Sequence, residues 1–319
     1  SPRLRSPLAA TGAVWLSVMS SRATFRQRFR PEVQAYVFLG PALFLLLALM
    51  VYPLSRVIWM SFFDIDVRGR VFTWIGLGNY RELLETSLFW QVLWQTVVFT
   101  LGSVIFHLVL GMGLALLLHA RINGRIRNLF RGLLIIPWLF APTVAGMIWV
   151  LMLSPFGVVN GFLSGVGLLS PNQTINWLGS PNTSLLSVTA MNIWRAYPFF
   201  MVMLLAGLQA IPEEVYEAAD IDGTTSFQKF WFITIPALRG IILTIVLLDG
   251  IWTFRAFDPV YVMTGGGPVN SSQVLPTIIY FDAFQKLRTG YASAEAVVMF
   301  LILFGFSVLY VRRAVREIG

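Results

Sequence analysis

The chain is 319 residues long, 57% hydrophobic and only 12% charged, with a mean hydropathy of +0.74. Soluble domains carry about 25% charged residues, so this composition points to a polytopic membrane protein. The absence of cysteine excludes disulfides, thiolate metal sites and Cys nucleophiles. The net charge of +8 is not that of a nucleic-acid binder, because the bases gather at the ends of apolar spans.

Taken in order, residues 1–35 form a basic tail with Arg3, Arg5, Arg22, Arg26, Arg28 and Arg30. Its apolar patch, 8–19, is too short to span and has no signal-peptide cleavage pattern. The tail therefore reads as cytosolic, either plainly disordered or resting on anionic lipid. A first span covers 36–60, with Pro41 and Pro53 inside it, which neighbouring helices can accommodate. A polar loop at 61–89 leads to the second span, 90–118. Residues 119–131 carry Arg121, Arg125, Arg127 and Arg131 and no acid, which sets that loop in the cytosol. The third span, 133–153, holds Pro137 and Pro142. The uncharged loop 154–184 falls outside, and its Gly161-x-x-x-Gly165 pair is not a spanning dimer face.

The fourth span covers 185–209 and the fifth 237–254. An outer loop at 255–290 contains a flexible turn, Thr264-Gly265-Gly266-Gly267-Pro268. The sixth span, 291–310, is followed by Arg312, Arg313 and Arg316. Six spans with both termini in the cytosol satisfy the Arg bias at every loop. The expected fold is all-α: a six-helix transmembrane domain over 36–311, between the tail 1–35 and a short cytosolic tail, 312–319.

The most polar interruption, 212–236, lies between the fourth and fifth spans, on the cytosolic side. Pro212, Glu213 and Glu214 make a helix start, since acids there oppose the positive end of the helix dipole. Gly223 can leave the helix with positive φ, and Thr224, Thr225 and Ser226 supply a turn and a cap for a second short helix. Pro236 marks where that second helix must end or kink. The result is a protruding helix–turn–helix that needs a partner to receive it.

Catalytic chemistry is missing. A phosphate-binding P-loop needs a Gly-Lys-[Ser/Thr] run, but the two lysines, Lys229 and Lys286, each follow a Gln. His107 and His119 have no ligand cluster around them, so no metal site is expected; His107 reads as a hydrogen-bonded interior group. No Gly-x-Ser-x-Gly elbow occurs. Intramembrane polar groups are the remaining candidates, because charge in hydrocarbon is costly. Asn192, Arg195 and Asp249 qualify. They either line a translocation path or, for Arg195 and Asp249, form an ion pair locking two spans. Trp194, Tyr197, Phe199 and Phe200 can stack on a sugar ring, although packing is the commoner use of such aromatics.

The run Glu217-Ala218-Ala219, three residues, Gly223, nine residues, Ile233-x-Ile235-Pro236 resembles the EAA loop of ABC importer permeases. Ile235 stands where Leu is usual, and Thr224 where Ala is common. Further motifs resemble the carbohydrate-uptake branch of maltose-permease and glycerol-phosphate-permease type. They are Gly76-Leu77-Gly78-Asn79-Tyr80, Leu205-Ala206-Gly207-Leu208-Gln209-Ala210-Ile211-Pro212, Phe257-Asp258, the Gly-Gly-Gly-Pro turn and Gly290-Tyr291-Ala292-Ser293-Ala294. The similarity runs from about residue 36 to 311.

The resemblance implies a transmembrane subunit of a binding-protein-dependent importer in a bacterial or archaeal cytoplasmic membrane. A second homologous permease would complete the pathway, and two copies of a separate ATPase would carry ATP and Mg, this chain holding no cofactor. An extracytoplasmic solute-binding protein would deliver the sugar, a di- or oligosaccharide. Glu217, Ala218, Ala219, Asp222, Gly223 and Pro236 would form the ATPase-coupling element. Counted from Glu217 and Pro236, family sugar contacts fall on Asn192, Ala196, Phe199, Asp249, Thr253 and Ala256; Arg195 is added on charge grounds. If Arg195 is free, a phosphorylated or otherwise anionic solute such as glycerol-phosphate follows; if it pairs with Asp249, a neutral saccharide does. The reading from another class is an ion-gradient-driven secondary transporter, which commonly shows repeated halves that are not evident here.

Overall fold

The computed structural model of the chain describes residues 31–66, 71–120, 123–170 and 173–318. The arginine-rich tail up to residue 30 and Arg121 lie outside the described residues. The chain divides into two units, Ser1–Val57 and Ile58–Gly319. The described part of the first is helical: α1 (Pro31–Leu46), a π-helical turn (Leu47–Val51), and α2 (Tyr52–Met60), which leads into the second unit. Apolar side chains such as Phe38, Phe44 and Leu49 are exposed along it, as a bilayer-facing helix requires.

The second unit opens with a hairpin, β1 (Phe63–Asp66) and β2 (Val71–Trp74), antiparallel with Phe63 opposite Trp74. This is the one departure from an all-α fold among the described residues. Next come α3 (Gly78–Glu85), α4 (Ser87–His119), α5 (Gly124–Leu139), α6 (Pro142–Met152) and α7 (Val158–Gly165). Then follow α8 (Ser184–Gln209), α9 (Glu213–Ile221), α10 (Ser226–Lys229) and α11 (Ile235–Phe254). The chain ends with α12 (Asp258–Met263), α13 (Leu275–Tyr280) and α14 (Thr289–Ile318). Among the described residues, five helices are long and apolar enough to cross a membrane, or six if the bent pair, α5 with α6, counts as one span.

Two expectations about prolines need correction. The third span is not one helix: α5 and α6 meet at 96°. Pro142 begins α6 behind an extended Ala141, because a residue preceding proline is pushed out of the helical region. Pro236, in contrast, does not stop the second helix of the polar interruption. A π-helical turn, Phe230–Thr234, carries α10 into α11, so Ser226–Phe254 is one helix of 29 residues. The Ile235 N–H reaches back to the Phe230 carbonyl in this wider turn. That register gives the proline, which has no N–H to donate and a ring that crowds the preceding turn, a place in a continuous rod. The turn Leu47–Val51 stands in the same relation to Pro53.

The loops expected to lie outside are also more ordered than their composition suggests. Asn79 donates from Nδ2 to the Ser61 and Phe63 carbonyls, both at 2.9 Å, and Tyr80 Oη lies 2.6 Å from Ser61 Oγ. A Cβ on Gly290 would collide with the Phe63 carbonyl oxygen. Arg288 holds Glu82 with two bonds, at 2.7 and 2.6 Å. The glycine turn is pinned rather than flexible: Ser272 Oγ lies 2.7 Å from the Gly267 carbonyl and 2.8 Å from Thr264 Oγ1.

One buried cluster sits where α4, α8 and α11 cross, around Met112, Phe200, Leu204, Leu238 and Ile245. The crossing of α4 on α8 is close because Gly111 faces Phe200: an added Cβ would lie 2.4 Å from Phe200 Cβ and 2.9 Å from the Met201 nitrogen. Gly207 faces Ile241 and Leu238, where an added Cβ would meet the ends of flexible side chains. Gly111→Ala should therefore destabilise the chain by about 1–3 kcal/mol, more than Gly207→Ala. Thermal unfolding in detergent measures both; equal losses would contradict the close backbone crossing.

Candidate functional site

Four residues of α8, Asn192, Arg195, Ala196 and Phe199, are spaced i, i+3, i+4 and i+7. Asp249, Trp252, Thr253 and Ala256 repeat that spacing from α11 into the turn beyond it. Each set therefore forms one helical stripe, and the two stripes face one cavity of about 430 Å³. That volume lies in the ~300–1,000 Å³ range of small-molecule sites. All seven side chains singled out as solute contacts line it, joined by Trp138, Pro142, Arg255 and Asp258. The break between α5 and α6 explains two of these additions: Trp138 and Pro142 flank it. Trp252 could have been found in the sequence, being one turn from Asp249 on the same face.

Asp249 does not pair with Arg195. Its Oδ2 lies 2.7 Å from His107 Nδ1, which α4 brings in fully buried. The other imidazole nitrogen, Nε2, lies 3.1 Å from the Asn192 backbone carbonyl. Both nitrogens thus face oxygens. A carbonyl can only accept, so it is Nε2 as a donor that bonds α8, while Nδ1 is committed to the carboxylate. Thr253 Oγ1 is 3.5 Å from the other carboxylate oxygen. His107 is the interior hydrogen-bonded group its sequence context suggested.

Two buried donors in the same cavity have no acceptor: Asn192 Nδ2 and Arg195 Nε. Buried donors without partners are costly and uncommon in native proteins. One side of the cavity is aromatic, with Phe199 at 6.0 Å from Trp138 and 5.6 Å from Trp252 between ring centroids. The arrangement can hydrogen-bond a polyhydroxylated solute and cover a ring face. It contains no nucleophile–base pair, and no metal-binding cluster occurs among the described residues.

The polar interruption is a compact helix–turn–helix directly attached to both cavity helices. Glu217, Ala218 and Ala219 lie on α9, and Gly223 leaves it with φ +72°. Thr224 closes the helix, its Oγ1 and N–H both bonding the Ala219 carbonyl at 2.6 and 3.1 Å. Thr225 and Gln228 form a reciprocal capping box at the start of α10. Lys229 Nζ bonds Asp220 at 2.6 Å, and Tyr216 Oη lies 2.9 Å from Thr234 Oγ1. Glu217, Ala218, Asp222 and Pro236 are exposed, whereas Ala219 is buried inside the chain. Ala219 thus supports the element rather than its outer surface. Ile221 at 88% and Phe227 at 72% exposure stand out beside the acids.

A family model described as "Binding-protein-dependent transport system inner membrane component" matches residues 107–316. The chain is 32% identical over 295 residues to the trehalose/maltose transport system permease protein MalF of Thermococcus litoralis, covering 92% of this chain and 98% of that protein. It is 36% identical over 280 residues to the sulfoquinovosyl glycerol transport system permease protein SmoG of Agrobacterium fabrum, covering 87% and 89%. Among solved structures, a chain of a bacterial ABC transporter involved in the import of the acidic polysaccharide alginate matches with a TM-score of 0.78. At 22% identity, over 89% of this chain and 95% of that one, this is a likeness of fold.

Replacing His107 by Leu would strand Asp249 in the interior, and removing one partner of a buried pair costs about 3–5 kcal/mol. The double variant His107→Leu/Asp249→Leu should recover most of that loss. Detergent unfolding of the two variants tests the coupling; equal destabilisation would refute it.

Proposed function

This chain belongs to the family of binding-protein-dependent transport system inner membrane components, and we propose that it forms half of an ATP-driven import pathway for a sugar. It is a multi-pass inner-membrane permease subunit and not an enzyme. A second permease of the same kind would complete the pathway, two ATPase subunits binding ATP and Mg would drive it, and a binding protein would deliver the solute. The bilayer orientation that suits the Arg bias puts both termini and the helix–turn–helix in the cytosol.

The observation that carries the proposal is the attachment of the cavity to the helix–turn–helix. Ser226–Phe254 is one helix of 29 residues, about 40 Å long at 1.5 Å per residue. Its first turn belongs to the polar interruption, and its last turns carry Asp249 and Thr253. On the other side, α8 carries Asn192, Arg195 and Phe199 and ends at Gln209, with α9 beginning four residues later at Glu213. A partner that moves the helix–turn–helix therefore moves both walls of the cavity. Stiffness supports this reading, since the cap, the Lys229–Asp220 pair and the Tyr216–Thr234 bond tie the element to itself. The exposed Ile221 and Phe227 beside Glu217 and Asp222 are suited to a docking cleft with an apolar floor and a polar rim.

A saccharide is favoured by the aromatic wall and the unpaired donors, and by relatives named for trehalose, maltose and sulfoquinovosyl glycerol transport. Glu217→Lys reverses charge at the docking surface, and Gly223→Asp puts a charged side chain where φ is positive. Each should leave the chain inserted and lower solute-stimulated ATP hydrolysis about tenfold or more, the effect of losing one interface hot spot. Co-purification with the ATPase and uptake in vesicles are the measurements. Normal uptake in both variants would refute the docking role, and a lone chain driven by an ion gradient would refute the importer reading.

Asp249→Ala should change solute affinity or selectivity while the ATPase stays bound, because it removes a cavity group and leaves the helix–turn–helix intact. Titration of uptake against solute, with co-purification as control, reads this out. Loss of assembly would mean that Asp249 acts only in holding α4 to α11.

A further inference from the structure

Arg195 is placed in the cavity wall by α8, yet it makes no hydrogen bond or ion pair among the described residues, and its buried Nε has no acceptor. Asp249 and Asp258 line the same wall without bonding it. Asp249, the one buried acid in the wall, is already held by His107 at 2.7 Å. The exposed Arg255 and Asp258 add one charge of each sign. Arg195 is therefore the one charged group of the wall that is partly buried and has no bonded partner among the described residues. Asn192 Nδ2, on the same helical stripe, is a second buried donor without an acceptor.

A neutral saccharide would supply hydroxyl oxygens to these donors but no counter-charge. A partly buried, unpaired guanidinium is stabilised by an anion, and a planar donor fork matches a carboxylate, sulfonate or phosphate. Resting on the importer reading above, we propose that the solute is a saccharide or polyol derivative bearing one anionic group. Arg195 receives the anion, Asn192 donates to an adjacent oxygen, and Phe199 with Trp138 and Trp252 covers the apolar face. His107 is a positioning residue in this scheme. By bonding Asp249 Oδ2, it keeps that carboxylate from pairing with Arg195.

The test uses the whole transporter, this chain with its partner permease, ATPase and binding protein, reconstituted in lipid nanodiscs. Solute-stimulated ATP hydrolysis is titrated with matched pairs: an aldobiouronic acid against cellobiose, sulfoquinovosyl glycerol against glucosyl glycerol, and glycerol 3-phosphate against glycerol. At least one anionic member should act at about tenfold lower concentration than its neutral counterpart, as expected for one charge-assisted hydrogen bond. Arg195→Gln should erase that difference, and Arg195→Lys should keep part of it. Retention of the ATPase by the Arg195→Gln complex certifies its fold; if it is lost, the wild-type pairs and Arg195→Lys decide. A neutral member that acts as well as or better than its anionic partner overturns the proposal. So does a preference that survives Arg195→Gln, or silence from every pair in a complex that keeps its ATPase. A chain that recovers no ATPase at all overturns instead the importer reading beneath it.

Discussion

Burying a carboxylate in the interior of a membrane domain is the constraint from which the site follows. Asp249 is almost fully buried, on a helix whose neighbours are overwhelmingly apolar. An isolated carboxylate there would cost several kcal/mol, and such groups persist only with a partner. His107 meets the need from α4, and its second nitrogen fastens to the backbone of α8. One imidazole therefore joins three helices at the floor of the cavity. Because it occupies Asp249, it also leaves the Arg195 guanidinium without a bonded acid in the cavity wall.

The same helices serve the other end of the molecule. The Phe230–Thr234 π turn lets α11 begin inside the helix–turn–helix despite Pro236, so one unbroken helix runs from that element to Asp249. A helix that ended at the proline would have left a soft joint there. The capped and ion-paired turn between α9 and α10 keeps the protruding part equally stiff. A rigid element with exposed apolar side chains and acids at its tip is suited to passing a partner's motion upward, which is the mechanical role proposed for it.

Several residues that carried the family resemblance have local structural work. Asn79 and Tyr80 fasten the outer hairpin to the end of α2, and Gly290 allows the start of α14 to lie against Phe63. Thr264 and the glycines after it make a turn held by Ser272. Their spacing is constrained by backbone contacts rather than by solute, so these motifs identify an architecture and are silent about the cargo.

Much was legible in the chain itself. The spans at 90–118 and 185–209, the bent nature of the polar interruption and the absence of a nucleotide lysine follow from apolar run length, helix signals and residue type, which are local properties. The i, i+3, i+4, i+7 spacing around Asn192 and around Asp249 placed each set on one stripe for the same reason. Tertiary structure decided what each stripe meets. Nothing local in the sequence distinguishes Arg195 from His107 as the partner of Asp249, because the choice depends on which helix packs closest at that depth, and Gly111 lets α4 approach α8. Nor could composition reveal that Pro142 would break its span while Pro236 would not. That outcome depends on whether the turn before the proline leaves the helical region, as Ala141 does, or widens into a π turn, as Phe230–Thr234 does.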